Sequence, residues 1–227
     1  MRIAKFISSA GVCSRRNAEK LIEEKKVKIN NKLCMHPSTK ILIKDIVKVN
    51  GKIIGINKSI KLWKLYKPTK YMCTNYDPQK RKTIFDLIPN TYPRVISIGR
   101  LDYMSEGLIL LTNNGDFARK LELPSSNQER VYRVCIRGTP NFEHIKLINK
   151  GIRIKNINYK KIHIKFEKSV NPYTWLIVKL KEGKNREIRK IFEYFAWNIA
   201  KLIRIQYGPY KLQNLHKGQI CEIKKIR

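Results

Sequence analysis

Gly99-Arg100-Leu101-Asp102-Tyr103-Met104-Ser105-Glu106-Gly107 runs directly into Leu108-Ile109-Leu110-Leu111-Thr112-Asn113-Asn114-Gly115. The apolar run Val95–Ile98 precedes this stretch, and a second apolar run, Leu108–Thr112, ends at an Asn-Gly turn. Two buried strands bracketing a short polar loop present a side chain rigidly, and the side chain so presented is a carboxylate, Asp102, beside Arg100. Outward from this loop, strand-like runs occur at Leu62–Leu65, Val131–Ile136, Lys161–Phe166, Trp175–Leu180 and Cys221–Ile226. Helix-like runs occur at Asp116–Leu121, Asn141–Asn149 and Arg186–Phe195. Many strands with helices set between them, without a regular strand–helix repeat, predict an α+β fold. The expected central sheet is mixed but mainly antiparallel, with helices flanking it.

An acid in this position stands out because acids are scarce. The 227 residues carry 49 Lys and Arg against 17 Asp and Glu, a formal net charge of +32. Such an excess repels itself and is retained where a polyanion neutralises it, so nucleic acid is the expected partner. Codon bias in an AT-rich genome inflates Lys, Asn and Ile, but it does not remove acids. An anionic lipid surface would also meet these charges, yet no apolar run approaches bilayer-spanning length. The first twenty residues interleave Arg2, Lys5, Arg15, Arg16 and Glu19 with apolar positions, unlike a signal peptide. Five scattered cysteines without a Cys-x-x-Cys pair fit free thiols in a reducing cytosol, so a cytoplasmic protein is expected. The four histidines are equally dispersed, and His163 falls in an alternating segment as a surface strand residue. No metal-binding, phosphate-loop or dinucleotide motif is present, so no cofactor is expected.

Residues 1–58 read as a separate module, with Gly55–Ser59 as the linker and residues 59–227 as a larger second domain. Ile3, Phe6 and Ile7 recur at helical spacing and Gly11 closes that helix. Ser14 has the character of an N-cap for a second helix whose apolar face is Ala18, Leu21 and Ile22. Val27 and Ile29 alternate before Asn30-Asn31, and Ile46, Val47 and Val49 precede Asn50-Gly51, both turn signals for a small antiparallel sheet. Arg15 and Arg16 occupy the first turn of the second helix, where the helix dipole disfavours cations. An external anion such as a phosphate backbone accounts for a pair of arginines there. Through Gly11-Val12, Ser14-Arg15-Arg16, Ala18-Glu19, Leu21-Ile22, Ile29-Asn30 and Val49-Asn50-Gly51, this module resembles the small RNA-binding domain first described in ribosomal protein S4. The resemblance implies that Arg15, Arg16 and the following helix face RNA.

In the larger domain a lone carboxylate such as Asp102 is a nucleophile, a general base or a salt-bridge partner for Arg100. Paired-acid chemistry needs a second carboxylate at a defined separation, and nothing in the sequence places Glu106 in that role. Tyr132 lies in Glu129-Arg130-Val131-Tyr132-Arg133-Val134, where alternation turns it inward with Val134 and sets both arginines outward. A third segment, Lys181-Glu182-Gly183-Lys184-Asn185-Arg186-Glu187-Ile188-Arg189-Lys190, passes from a strand through a glycine turn into a helix opening near Asn185. It crowds Lys184 and Arg186 at the N-terminal end, again as though facing an anion.

Taken together, these segments resemble the RsuA family of bacterial rRNA pseudouridine synthases. Residues 99–115 match its aspartate motif, Gly-Arg-Leu-Asp-x-x-(Ser/Thr)-x-Gly-Leu-x-Leu-Leu-Thr-Asn-x-Gly. Arg130–Val134 match its Lys-x-Tyr-x-Val motif with arginine for lysine, and Glu182–Arg189 match its third motif intact. An upstream Asn-Lys-Pro-x-Gly motif survives as Tyr66-Lys67-Pro68-Thr69-Lys70, with Tyr66 and Lys70 departing from it. The C-terminal Leu202-Ile203-Arg204-Ile205 through Gly208 also fits.

The resemblance implies isomerisation of an rRNA uridine to pseudouridine without a cofactor. Asp102 would be the catalytic carboxylate, Tyr132 the aromatic that stacks on a flipped-out uracil, and Arg189 the partner of Asp102 in a dry pocket. Ile188 and Leu202 would wall the uracil, while Lys67, Arg100, Lys184, Asn185 and Arg186 would contact RNA. The route by which Asp102 acts, at the sugar, at the base or by promoting loss of a sugar proton, stays open. The segment Asp77-Pro78-Gln79 through Pro89 resembles the large-subunit branch acting on 23S rRNA. The alternatives are a 16S rRNA enzyme and an inactive RNA-binding ribosome-assembly factor. The default assembly state is a monomer.

Overall fold

The computed structural model describes residues 1–56 and 59–226. Two compact units emerge. The first contains residues 1–61, 90–96 and 112–117; the second contains 62–89, 97–111 and 118 onward. The middle of the expected linker, and the expected boundary between residues 58 and 59, fall at positions 57 and 58, outside the described residues.

In the first unit, α1 (Ile3–Ser9) and α2 (Arg15–Glu23) precede a four-stranded antiparallel sheet. Its strands, β1 (Val27–Ile29), β2 (Lys32–Leu33), β3 (Val47–Val49) and β4 (Lys52–Ile54), lie in the order β2-β1-β3-β4. The local sequence signals explain these boundaries. Ser14 Oγ accepts from the Asn17 amide at 3.1 Å, the expected cap of α2. Asn30 and Asn31 sit at φ +49° and +69°, and Asn50 and Gly51 at +49° and +78°. Paired left-handed residues give the turn twist that matches adjoining strands. Ile3, Ile7, Ala18, Ile22, Val27 and Val47 form the core between helices and sheet.

The second unit is built on a nine-stranded sheet. From Leu62 onward the elements in chain order are β5 (Leu62–Lys67), β6 (Ile96–Ile98), β7 (Glu106–Thr112), α3 (Gly115–Glu122), β8 (Arg130–Arg137) and α4 (Phe142–Lys150), with Ile96, Thr112 and residues 115–117 counted in the first unit. The chain continues through a separate hairpin, β9 (Ile152–Ile154) and β10 (Ile157–Tyr159), then β11 (His163–Val170) and β12 (Tyr173–Leu180). Next come α5 (Glu187–Tyr194), β13 (Ile199–Tyr207), β14 (Tyr210–Lys211) and β15 (Ile220–Glu222). The sheet runs β11-β12-β8-β13-β7-β5-β15, with β14 on β13 and β6 on β7. β13 is antiparallel to β8 and parallel to β7, so the sheet is mixed as expected. β7 is buried along its whole length, and α4 and α5 pack through Ile145, Ile148, Ile188, Ile191 and Phe192 onto Val134, Leu176, Val178 and Leu202.

The central strand β13 is absent from the strands expected from sequence. Two register irregularities, at Ile199/Lys201 and Arg204/Gln206, break its two-residue alternation, and a charged residue, Arg204, occupies one of its most buried positions. The last strand covers residues 220–222 rather than 221–226, and α5 opens at Glu187, because Arg186 takes a left-handed backbone at φ +52° and cannot be part of the helix.

Candidate active site

The Asp102 loop joins β6 to β7 and is held from beneath by Lys67. This lysine is fully buried on β5. Its Nζ donates to the carbonyl oxygens of Pro68 (3.0 Å), Asp102 (3.1 Å), Tyr103 (3.4 Å) and Ser105 (2.7 Å). The expectation that Lys67 contacts RNA is therefore corrected: an ammonium enclosed by carbonyls is an internal clamp on the loop. Burial pulls its pKa from the ordinary lysine range down to about 8. The loop is closed further by Ser105 N–H to the Asp102 carbonyl at 3.0 Å and by Lys70 N–H to the Tyr103 carbonyl at 2.8 Å. Lys70, where the motif has glycine, accommodates φ +65°. At its start, Gly99 N–H donates to Glu122 Oε1 at 2.6 Å.

Above the loop lies a concavity of about 270 Å³, contained within the second unit. Asp102, Tyr132 and Arg189, drawn from a loop, a strand and a helix, all line it. Arg189 Nη2 donates to Ser105 Oγ at 3.0 Å, and its Nε stands 3.5 Å from Asp102 Oδ2. The latter is a charge contact too poorly aligned for a hydrogen bond. Burial lowers the Arg189 pKa and the Asp102 carboxylate opposes that shift. The Asp102 side chain keeps 34% of its exposure, so the pocket is open to water rather than dry.

Arg100, Lys184, Arg186, Ile188 and Leu202 also line the concavity, whereas the exposed Asn185 does not. Lys184 is partly committed to the scaffold: its Nζ reaches the Asn158 carbonyl at 2.5 Å and Glu182 Oε1 at 2.8 Å. Arg15 and Arg16 are exposed at the start of α2 in the first unit.

Several lining residues escaped the sequence reading. Arg130 lies two positions from Tyr132 on β8 and so shares its face; the outward placement expected for it is corrected by strand alternation itself. Its guanidinium lies over the Tyr207 ring at 4.9 Å and that of Arg204 at 5.2 Å. Tyr207 in turn donates to the Leu121 carbonyl at 2.9 Å. Glu187 also lines the pocket. Burial raises its pKa to about 7, and one of its oxygens accepts from the Lys184 amide at 3.0 Å, closing the turn that opens α5. The apolar–charged alternation of β8 was a usable signal for Arg130; nothing in the sequence marked Glu187 or Tyr207 as pocket residues. Glu106 is buried and stands 2.6 Å from Lys217 Nζ, so it belongs to an ion pair away from this pocket.

Residues 61–194 match the family model described as RNA pseudouridylate synthase, and residues 1–47 match the S4 domain. An uncharacterized RNA pseudouridine synthase of Rickettsia prowazekii (strain Madrid E) is 48% identical over 222 residues, covering 98% of this chain and 94% of that protein. The ribosomal large subunit pseudouridine synthase B of Bacillus subtilis (strain 168) is 35% identical over 224 residues, covering 98% and 91%. A solved structure described as a pseudouridylate synthase shares the fold at a TM-score of 0.69 and 22% identity, covering 99% of this chain and 96% of that one. With its S4 domain and its synthase fold, the chain belongs to the RNA pseudouridylate synthase family.

Proposed function

We propose that the enzyme isomerises one uridine of ribosomal RNA, in the large-subunit 23S molecule, with Asp102 as the catalytic carboxylate. The observation that carries this reading is the meeting of Asp102, on a loop pinned by Lys67, with Tyr132 and Arg189 in one pocket. The target base must leave its stack to be reached, and Tyr132, on the pocket wall, offers a face on which the free uracil can lie while it turns. Asp102 is solvent-accessible and stands beside a guanidinium. Arg189 joins the loop through both Ser105 and Asp102, so it fixes where the carboxylate points. Arg100, Lys184 and Arg186 at the rim, with Arg15 and Arg16 on the S4-like domain, supply phosphate contacts. The S4-like domain corresponds to residues 1–58 and the catalytic domain to 59–227.

The choice of 23S rRNA rests on the segment Asp77–Pro89 and on the large-subunit assignment in the name of the B. subtilis relative. Asp77 receives a two-pronged hydrogen bond from Arg81, at 2.7 and 3.0 Å, which gives this segment a fixed shape. The enzyme acts as a monomer in the cytoplasm.

The test is release of tritium from rRNA labelled at uridine carbon five. Wild type is expected to release it and Asp102→Asn to fall below about a thousandth of the wild-type rate. RNA binding without turnover by wild type would instead identify an assembly factor. Pseudouridine mapping in a deletion strain separates the subunits: loss of a 16S position in place of a 23S one overturns the large-subunit assignment.

A further inference from the structure

Arg204 occupies the middle of β13 with 2% of its surface exposed, yet it lines the same pocket as Asp102. Its Nε donates to the Leu108 carbonyl at 2.7 Å, which fixes the plane of the guanidinium. Its Nη2 is buried and has no hydrogen-bond partner among the described residues. A buried, charged donor left unpaired is costly, and a site tolerates it where a ligand supplies the missing acceptor. The chain makes specific room for this residue. Gly107 on β7 is its parallel neighbour, and a Cβ there would run into the Arg204 backbone; Gly107 also sits at φ +107°.

Across the other edge of β13, Arg204 is directly opposite Tyr132 on β8. Directly opposed residues share a face of the sheet, with Cβ atoms about 4.5–5.5 Å apart. A base stacked on Tyr132 therefore has its edge beside the Arg204 guanidinium.

The reaction creates negative charge at that edge. When the C1′–N1 bond breaks, its electron pair leaves with the base and spreads onto the carbonyl oxygens O2 and O4. After rotation, C5 supplies a pair to form the C5–C1′ bond, C5 loses its proton and N1 gains one, so no oxidant or co-reactant is needed. Addition of Asp102 to the base would load the same oxygens. The charge that needs a donor is thus the same whichever route Asp102 takes.

We propose that Arg204 is a catalytic residue of this pocket, its Nη2 N–H donating to the uracil carbonyl oxygen that carries the developing negative charge. The proposal rests on the pseudouridine synthase reading and deepens it. A preorganised donor aimed at a developing oxyanion accelerates the step it serves far more than it tightens ground-state binding.

The test compares single-turnover rates of wild type, Arg204→Lys and Arg204→Gln on a uridine RNA and on the same RNA with 5-fluorouridine at the target. Fluorine stabilises the departing anion, so that base needs less help. Cleavage is read as loss of intact 5-fluorouridine from nuclease digests. Both variants keep a donor for the Leu108 carbonyl, and thermal melting checks their folding. The expected result is a loss of about 100-fold or more on uridine RNA, against less than about tenfold on 5-fluorouridine RNA. RNA affinity is expected to stay within about threefold. Equal losses on both RNAs would assign Arg204 to the scaffold, and unchanged rates would remove it from the chemistry; either overturns the proposal. A wild-type enzyme inactive on both RNAs overturns the parent reading, and the proposal with it.

Discussion

At the scale of single residues, the aspartate loop depends on a lysine that never meets solvent. Lys67 is held by four carbonyl oxygens, three of them on the loop itself, and carbonyls can bond the ammonium only as acceptors. A neutral amine has one donor fewer and no charge, so deprotonation loosens the loop at Asp102, Tyr103 and Ser105. With Lys67 near pKa 8, the rate of the chemical step is expected to fall as pH rises through about 8. The sign for stability is opposite. Between about 8 and the ordinary lysine value the unfolded chain binds more protons at this site than the native one, so its contribution to stability rises with pH. Single-turnover rates from pH 6.5 to 9.5, with urea melts at each pH, check this. A flat rate profile across that range would separate Lys67 from the chemistry. The sequence marked out the Asp102 loop because the runs that bracket it, Val95–Ile98 and Leu108–Thr112, are local. It misassigned Lys67 because three of the four carbonyls that claim its charge come from residues 35 to 38 positions away, and carbonyl direction has no one-letter code.

At the scale of elements, the strands that alternate cleanly were legible and the one that assembles the pocket was not. β8 and β12 show regular patterns, and their pairing runs unbroken from Tyr173 opposite Arg137 to Leu180 opposite Arg130. β13, between β8 and β7, hides its period behind two irregularities and a buried guanidinium, so Arg204 and Tyr207, though inside a stretch that fits the family pattern, were not read as pocket residues. The start of α5 carries a comparable hidden device. Arg186 leads into the helix through a left-handed backbone, and Glu187 closes the turn from within, 4% exposed. One of its oxygens bonds the Lys184 amide while the other is buried without a partner, so the carboxylate form is held at a cost. Its pKa of about 7 exceeds the unfolded value, so the native state binds more protons between about 4.5 and 7 and loses stability as pH rises through that window. Glu187→Gln keeps an acceptor for Lys184 N–H without the charge. It is expected to raise stability by about 1–2 kcal/mol at pH 8 and by almost nothing at pH 4.5. Chemical denaturation of both proteins at the two pH values checks this. Equal stability at pH 8 would mean that the buried carboxylate is already relieved by a charge such as Arg130.

At the scale of the whole molecule, the charge of +32 divides between two tasks that experiment can separate. In the second unit the cations around the pocket answer to internal partners: Arg189 to Asp102, Lys184 to Glu182, Arg130 to backbone carbonyls. In the first unit, Arg15 and Arg16 stand exposed on the first turn of α2, which has no acidic residue to balance the dipole. That asymmetry was readable from sequence, because a helix start is set by local signals such as the Ser14 cap. If both arginines neutralise RNA phosphates, each displaces condensed counterions. Arg15→Ala with Arg16→Ala should then weaken RNA binding and flatten the slope of log affinity against log salt by about 1–2. The rate measured from fully bound RNA should stay within about twofold, because the pocket around Asp102 is lined by residues of the second unit alone. Filter-binding titrations between 50 and 300 mM salt (roughly the range in which such slopes are resolved) and single-turnover assays at saturating enzyme make the comparison. An unchanged slope would show that these arginines do not touch phosphate. A collapse of the bound-state rate would show instead that the first unit sets how the uridine is delivered to Asp102, and not only how tightly the RNA is held.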